Sequence, residues 1–113
     1  MFLLKVLEDW DAAPTFSDGT AGGVEPGSVT LEITKQYVDE WVLLEEEDIE
    51  QAVYDMMDKG NKIVEGAAGL AVAGLRKMGD RLRGKNVALV LCGGNLGMKN
   101  VAYIMNRYHE PGE

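Results

Sequence analysis

The chain has 113 residues, of which 46% are hydrophobic and 27% are charged, and this length predicts one domain with a single core. Its 11 Lys and Arg against 19 Asp and Glu give a formal net charge of −8, which disfavours nucleic acid and anionic membrane surfaces as partners. One cysteine and one histidine, His109, exclude an internal disulfide and a cysteine-rich zinc site. The low cysteine content predicts a reducing, cytoplasmic compartment.

The N-terminal segment, residues 1–10, begins with an apolar stretch that ends at Glu8 and Asp9. No cationic region precedes that stretch and no small-residue cleavage site follows it, so we expect it not to be a signal peptide. The longest uncharged run, residues 86–98, is shorter than the ~18 apolar residues that a membrane span needs. The sequence therefore predicts a soluble protein.

Residues 11–27 read D-A-A-P-T-F-S-D-G-T-A-G-G-V-E-P-G, a composition that favours turns. We expect a long loop that contains at most one short helical turn. Loops of this length inside a domain are usually functional or disordered, so this one is either part of a site or a flexible linker.

The pattern over residues 28–108 predicts one α/β domain, with residues 109–113 as a tail. Ser28 suits the N-cap of a helix that runs to about Asp39, because apolar residues follow it at helical spacing. Residues 40–45 are too short and too evenly apolar for a helix, and they contain Val and Trp, so they favour a strand.

The acidic run Glu45–Asp48 comes next and matches the positive N-terminal end of a helix dipole. It predicts the start of a helix over residues 46–61, which Gly60 and Asn61 end or kink. Because adjacent helical positions do not converge on one point, a solvated helix start is favoured over a metal site.

A further helix is predicted over residues 64–82, whose first half consists almost entirely of small residues. Gly66, Gly69 and Gly74 each disfavour the helix, so a close packing partner or a ligand must offset them. The basic residues within 76–85 suit the C-terminal end of this helix, which Gly84 closes.

Residues 86–92 are continuously apolar, which is typical of a strand covered on both faces in a parallel sheet. Gly93, Gly94 and Asn95 follow, and a last helix is predicted over residues 97–108. Helices alternating with such strands predict an α/β fold with right-handed crossovers.

The segment Cys92–Gly97 is placed at the carboxyl end of the buried strand and before a helix, where open α/β sheets bind ligands. Backbone amides there can meet an anion or a polar ring atom. The glycines do not have dinucleotide-binding spacing and no P-loop lysine follows, so a tight strand-to-helix turn is the alternative.

Three motifs that occur in a fixed order along the chain identify a family more specifically than any one of them alone. They are S-D-G-T-A-G-G at 17–23, V-E-G-A-A-G-L-A-V-A at 64–73, and V-L-C-G-G-N at 90–95. Together they resemble the C-terminal part of the serine/threonine dehydratases, which are pyridoxal-phosphate (PLP) ammonia-lyases of fold type II. The resemblance extends from about Leu3 to Asn106 and looks closest to the hydroxyectoine-utilisation dehydratase branch. It implies a partial three-layer parallel-sheet domain, a fragment of the fold type II architecture.

The resemblance also implies roles for residues. In the family the residue before Gly-Gly-Asn hydrogen-bonds the pyridine nitrogen of PLP, and here that residue is Cys92. A neutral partner leaves the pyridine unprotonated, which suits elimination at the β-carbon rather than transamination. The other cofactor-binding residues implied are Gly93, Gly94, Asn95, Glu65 near the ring, and Gly19 in a loop of the same cleft. For Cys92, a buried thiol without a ligand is the alternative.

The departures from the family are as informative as the matches. The S-F-K-x-R-G-A segment with the Schiff-base lysine, the S-G-G-G-x phosphate loop and the upstream acidic metal ligands of some members do not occur in the sequence, and no metal or catalytic residue is assigned. None of the seven lysines stands in a context like that of the Schiff-base lysine. We expect that Cys92 alone does not retain PLP.

Three hypotheses follow. The chain is an inactive piece of a PLP dehydratase, a binding module that associates with itself or a partner, or one half of a split enzyme whose N-terminal half is separate. Exposed edges at residues 40–45 and 86–92, with apolar helix faces carrying Ile33, Met56 and Leu75, predict a homodimer or higher symmetric oligomer.

Overall fold

The structure is a computed structural model that describes residues 14–110. This part contains four α-helices: α1 (Val29–Tyr37), α2 (Glu46–Asp58), α3 (Gly66–Met78) and α4 (Met98–Tyr108). Short 3₁₀ helices cover Asp18–Thr20 and Gly79–Leu82. The predictions for residues 1–10, for the start of the 11–27 loop and for the last tail residues lie outside the described range.

Helix α1 begins directly after Ser28, as its capping pattern predicts, but the Ser28 side chain does not cap it. The Ser28 and Thr30 hydroxyls are 2.6 Å apart and bond to each other instead. The helix buries Leu31, whereas Val29 and Ile33 stay 72% and 52% exposed. Consequently α1 contacts the rest of the molecule through a narrow apolar stripe.

Helix α2 begins at Glu46, where the acidic run predicts it. The Glu45 backbone N–H donates to the Asp48 carboxylate at 3.2 Å, so the acidic residues stabilise the helix start directly. The helix ends at Asp58 rather than at residue 61, and Asn61 takes a left-handed backbone conformation with φ of 52°. The predicted break at Gly60 and Asn61 is therefore confirmed.

Helix α3 packs along α2, and its small residues let the two backbones approach closely. A Cβ on Gly69 would stand 2.7 Å from the Val53 methyl Cγ2, so only glycine fits there. The core lies between these helices in two clusters, which are Ala52, Val72, Ala73 and Val53, Val64, Ala68. Met56 packs against both clusters, so the prediction that it lies on an exposed face is wrong.

Ion pairs tie the periphery to this core. Asp55 of α2 is largely buried and pairs with Lys59 at 2.9 Å and with Arg76 of α3 at 2.5 Å. Arg81 forms a two-bond pair with Glu40 at 2.6 and 2.7 Å, which links the segment before α2 to the 3₁₀ helix that follows α3. The basic residues predicted as a solvated helix end thus carry specific contacts.

The predicted strands over residues 40–45 and 86–92 are absent, because the described part of the chain contains no strand. A strand is defined by hydrogen bonds to a neighbouring strand, and within residues 14–110 the backbone of 86–92 makes none. Val87, Leu89, Val90 and Leu91 are 38–75% exposed. The described residues are therefore helices joined by irregular segments, not the predicted partial parallel sheet.

Within residues 14–110 no helix has both the length and the apolar character that crossing a membrane demands.

Candidate functional site

The first turn of α3 brings together segments that are far apart in the sequence. Glu65 stands directly before α3, and its backbone N–H donates to the Gly93 carbonyl at 3.1 Å. Its carboxylate oxygen Oε2 accepts a hydrogen bond from the Asn95 backbone N–H at 3.2 Å. Glu65 therefore holds the Gly-Gly-Asn turn from two sides, with its backbone and with its side chain.

The glycines of this turn allow the close approach. A Cβ on Gly93 would fall onto the Glu65 carboxylate, 2.5 Å from Oε1 and 2.6 Å from Oε2. A Cβ on Gly94 would stand 3.0 Å from the Ile63 carbonyl oxygen. Neither glycine needs a positive φ here, so the reason for glycine is space and not backbone strain.

Substituting Gly93→Ala is expected to displace the Glu65 carboxylate and to break its bond to the Asn95 amide. Because the clash is with the end of a flexible side chain, we expect the free energy of unfolding to fall by less than the about 1–3 kcal/mol that overpacking a rigid core costs. Amide hydrogen exchange at Asn95 should rise while exchange in α2 stays unchanged. Unchanged exchange at Asn95 would show that the Glu65 contact does not hold the turn.

The loop before α1 contacts the same helix end. Ser17 is buried and its hydroxyl bonds with that of Thr20 at 2.8 Å. A Cβ on Gly66 would collide with the backbone of Phe16 and Ser17. Gly19 follows, and a Cβ added to it would stand 4.0 Å from the Ala67 Cβ. Residues 16–19 of the predicted 11–27 loop are thus docked on α3, and the described part of the loop contains one short 3₁₀ helix as expected.

These contacts unite most of the residues singled out from the sequence. Glu65, Gly93 and Asn95 are hydrogen-bonded, Gly94 packs on the adjacent backbone, and Gly19 lies on the other side of α3's first turn. Cys92 precedes the turn and is exposed, so the alternative of a buried thiol is wrong. We call Gly19, Glu65 and residues 92–95 the α3 N-terminal site.

Two residues of α2 that support this site were missed by sequence reasoning. Glu46 accepts a hydrogen bond from the Phe16 N–H, and Glu50 accepts bonds from α4. The acidic run was interpreted as a solvated helix start, and periodicity does not reveal which distant backbone a carboxylate will reach. The spacing of Glu50 to Val53 and Met57, at i+3 and i+7 on the apolar side of the helix, is the one sequence signal that could have marked it, and the structure buries it.

Residues 5–93 match the family described as pyridoxal-phosphate dependent enzyme. The chain belongs to this family. L-threonine ammonia-lyase of Thermotoga maritima is 36% identical over 97 residues, which are 86% of this chain and 24% of that protein. The L-threonine dehydratase catabolic TdcB of Staphylococcus aureus strain N315 is 36% identical over 107 residues, 92% of this chain and 31% of that protein.

These similarities confirm the resemblance to serine/threonine dehydratases that the three motifs carry. Since 24% and 31% of the two relatives are covered, the chain spans about a quarter to a third of the curated relatives it matches. Membership of the PLP-dependent family implies that the chain is related to the fold type II enzymes. Similarity to the hydroxyectoine-utilisation branch stays a prediction.

The α3 N-terminal site offers few groups that suit PLP, the cofactor of this family. The Cβ positions of Gly93 and Gly94 are taken up by the Glu65 carboxylate and the Ile63 carbonyl oxygen, and the exposed Cys92 thiol precedes them in the chain. The site contains no lysine and no glycine-rich phosphate loop. The described residues of the site therefore offer the cofactor one thiol donor, but no group for its phosphate or its aldehyde carbon.

Proposed function

We propose that this threonine dehydratase-like PLP-dependent domain supplies the ring-binding side of a lyase active site and does not catalyse deamination alone. The contact that supports this most directly is that of Glu65 with Gly93 and Asn95, because it brings two of the family-like motifs into one site. The third motif, with Gly19, docks on the same helix turn.

Each residue has a separate task in this proposal. Cys92 would donate a hydrogen bond to the pyridine nitrogen without transferring a proton, Gly93 and Gly94 leave room for the Glu65 carboxylate and the Ile63 carbonyl, and Glu65 keeps the turn in place. Bound PLP supplies the electron sink for elimination of a β-substituent from an amino acid. In this proposal the chain's own groups bind and orient the ring, and no proton transfer is assigned to them.

We expect the isolated chain to release no keto acid from L-serine or L-threonine, since a covalent site for the cofactor and a phosphate site are both missing. Borohydride reduction with PLP should give no adduct at a single stoichiometric lysine. Keto-acid formation above a no-protein control, abolished by Cys92→Ala, would contradict the proposal. So would a stoichiometric lysine adduct.

Two alternatives remain open: a non-catalytic module that associates with itself or a partner, and one half of a split enzyme. The exposed apolar side chains of residues 87–91 favour association, because apolar patches of this kind are commonly covered. Adding a separately expressed N-terminal half of a family member and recovering lyase activity would favour the split enzyme.

For self-association we expect a homodimer or higher symmetric oligomer that buries more than about 1,000 Å² in total. The net charge of −8 opposes indiscriminate aggregation and favours a closed assembly. Light scattering at micromolar concentration should give at least twice the monomer mass. A folded monomer whose unfolding does not depend on protein concentration would refute this expectation.

A further inference from the structure

One face of α2 carries two carboxylates that bind two different segments adjoining the α3 N-terminal site. Glu46 and Glu50 are four residues apart, so they lie one helical turn apart on the same face. Glu46 Oε2 accepts a hydrogen bond from the Phe16 backbone N–H at 2.7 Å. Phe16 belongs to the loop that leads to Gly19, and its backbone rests against Gly66 at the start of α3.

Glu50 binds α4 as Glu46 binds the loop, but its carboxylate accepts hydrogen bonds from more than one donor. It is 7% exposed, and its oxygens accept bonds from the hydroxyls of Tyr103 at 3.0 Å and Tyr108 at 2.8 Å. Arg107 Nε pairs with it at 3.2 Å. All three partners come from α4, whose first residue stands directly after the turn of residues 92–97.

Arg107 also contacts the two tyrosines that bind Glu50. Its guanidinium lies 5.9 Å from the centre of the Tyr103 ring and 5.7 Å from that of Tyr108. Burial, together with the hydrogen bond to Glu50 and its charge, raises the pKa of Tyr108 to about 12. Tyr108 therefore keeps its proton at neutral pH and remains a donor to Glu50.

Apolar packing alone gives α4 little orientation. Ile104 is the one residue of α4 that is buried, and a helix held by a single side chain can rotate or slide. Charge-assisted hydrogen bonds are directional and hold a definite geometry. The loop and α4 also touch each other, since the rings of Phe16 and Tyr103 stack with centroids 6.4 Å apart.

We propose that Glu46 and Glu50 are positioning residues for the α3 N-terminal site. Glu46 fixes the loop that carries Gly19, and Glu50 fixes α4 and, through it, the turn of residues 92–95. This inference rests on the proposed function, because the site that the two carboxylates position is the ring-binding site. The rest of the site is held by α3 itself through Glu65.

Amide hydrogen exchange of the full chain, measured residue by residue without cofactor, tests the inference. Glu46→Ala should raise exchange in residues 16–21 about tenfold and leave α4 unchanged. Glu50→Gln should raise exchange in α4 and at Asn95 about tenfold and leave residues 16–21 unchanged. Tenfold corresponds to about 1.4 kcal/mol, in the range of one hydrogen bond to a charged group.

Glu47→Ala is the matched control, because it removes the same charge from the same helix turn. Glu47 is exposed and reaches Arg107 only at 3.6 Å, so exchange should change less than twofold in either segment. Amides of α3 at residues 70–73 should stay constant in all three variants. Tyr103→Phe and Tyr108→Phe each remove one hydrogen-bond donor to Glu50. They replace Glu50→Gln in the test if that variant fails to fold.

A uniform rise in exchange that includes residues 70–73 would overturn the inference, since it would indicate a general loss of stability. So would exchange that is unchanged in both segments. Repeating the experiment with PLP and a separately expressed N-terminal half of a family member separates the two proposals. PLP-dependent protection of residues 92–95 in that mixture tests the proposed function, whereas segment-selective opening of the chain without PLP tests the positioning role.

Discussion

Gly66→Ala should destabilise the protein by about 1–3 kcal/mol and detach the loop of residues 14–20 from α3. The added Cβ would collide with the carbonyl group of Phe16 and the Cα of Ser17. Both are backbone atoms, which cannot turn away as the end of a side chain does. The loop must therefore move as a unit, and the bond between Glu46 and the Phe16 N–H should be lost with it.

Urea unfolding followed by circular dichroism measures the stability change, and amide exchange in residues 16–21 reports the detachment. Gly74→Ala is the matched control, because it lies in the same helix and no atom is within 4 Å of its Cβ position. There we expect stabilisation by about 0.5–1 kcal/mol, since alanine favours a helix interior over glycine. Equal effects of the two substitutions would contradict the close contact at Gly66.

Asp55→Asn should lower the free energy of unfolding by about 1–3 kcal/mol at neutral pH. The Asp55 side chain is 11% exposed and joins α2 to α3 through Arg76, while Lys59 binds its other oxygen. Asparagine keeps the shape but removes the charge that pairs with both cations. The matched control is Asp58→Asn on the same helix, which is exposed and should change stability little.

The stability lost in the Asp55→Asn variant should depend on pH in a defined direction. Burial alone raises the pKa of Asp55, but hydrogen bonds and charges from Lys59 and Arg76 outweigh it and hold the pKa below its ordinary value of 3.8. A lowered folded-state pKa stabilises the fold fully above the unfolded-state value, and this stabilisation is lost as the pH falls through the folded-state value. The difference between wild type and Asp55→Asn should therefore be constant at neutral pH and shrink below about pH 3.8.

Urea midpoints of both proteins at several pH values test this. A difference that stays constant down to the most acidic pH at which both fold would show that the Asp55 charge does not contribute. A difference that grows on acidification would contradict the assigned direction of the pKa shift.

The helices could be predicted from sequence because their signals are local. Apolar spacing predicted the ends of the four helices to within a few residues. The acidic run predicted the start of α2, and Gly60 and Asn61 predicted its end. The strands could not be predicted in this way. An apolar run such as residues 86–92 has no period that identifies a partner, and a strand forms only where a neighbouring backbone pairs with it.

By itself the sequence determined the helical segments and the family resemblance, and it singled out the candidate site residues, since these depend on residue type, spacing and order along the chain. Only the tertiary structure decided which of those residues meet. The carboxylate of Glu65 reaches the amide of Asn95, 30 residues away, and Glu46 reaches Phe16, also 30 residues away. Periodicity indicates which face of a helix is apolar, but the partner of a polar side chain is set by how the helices pack.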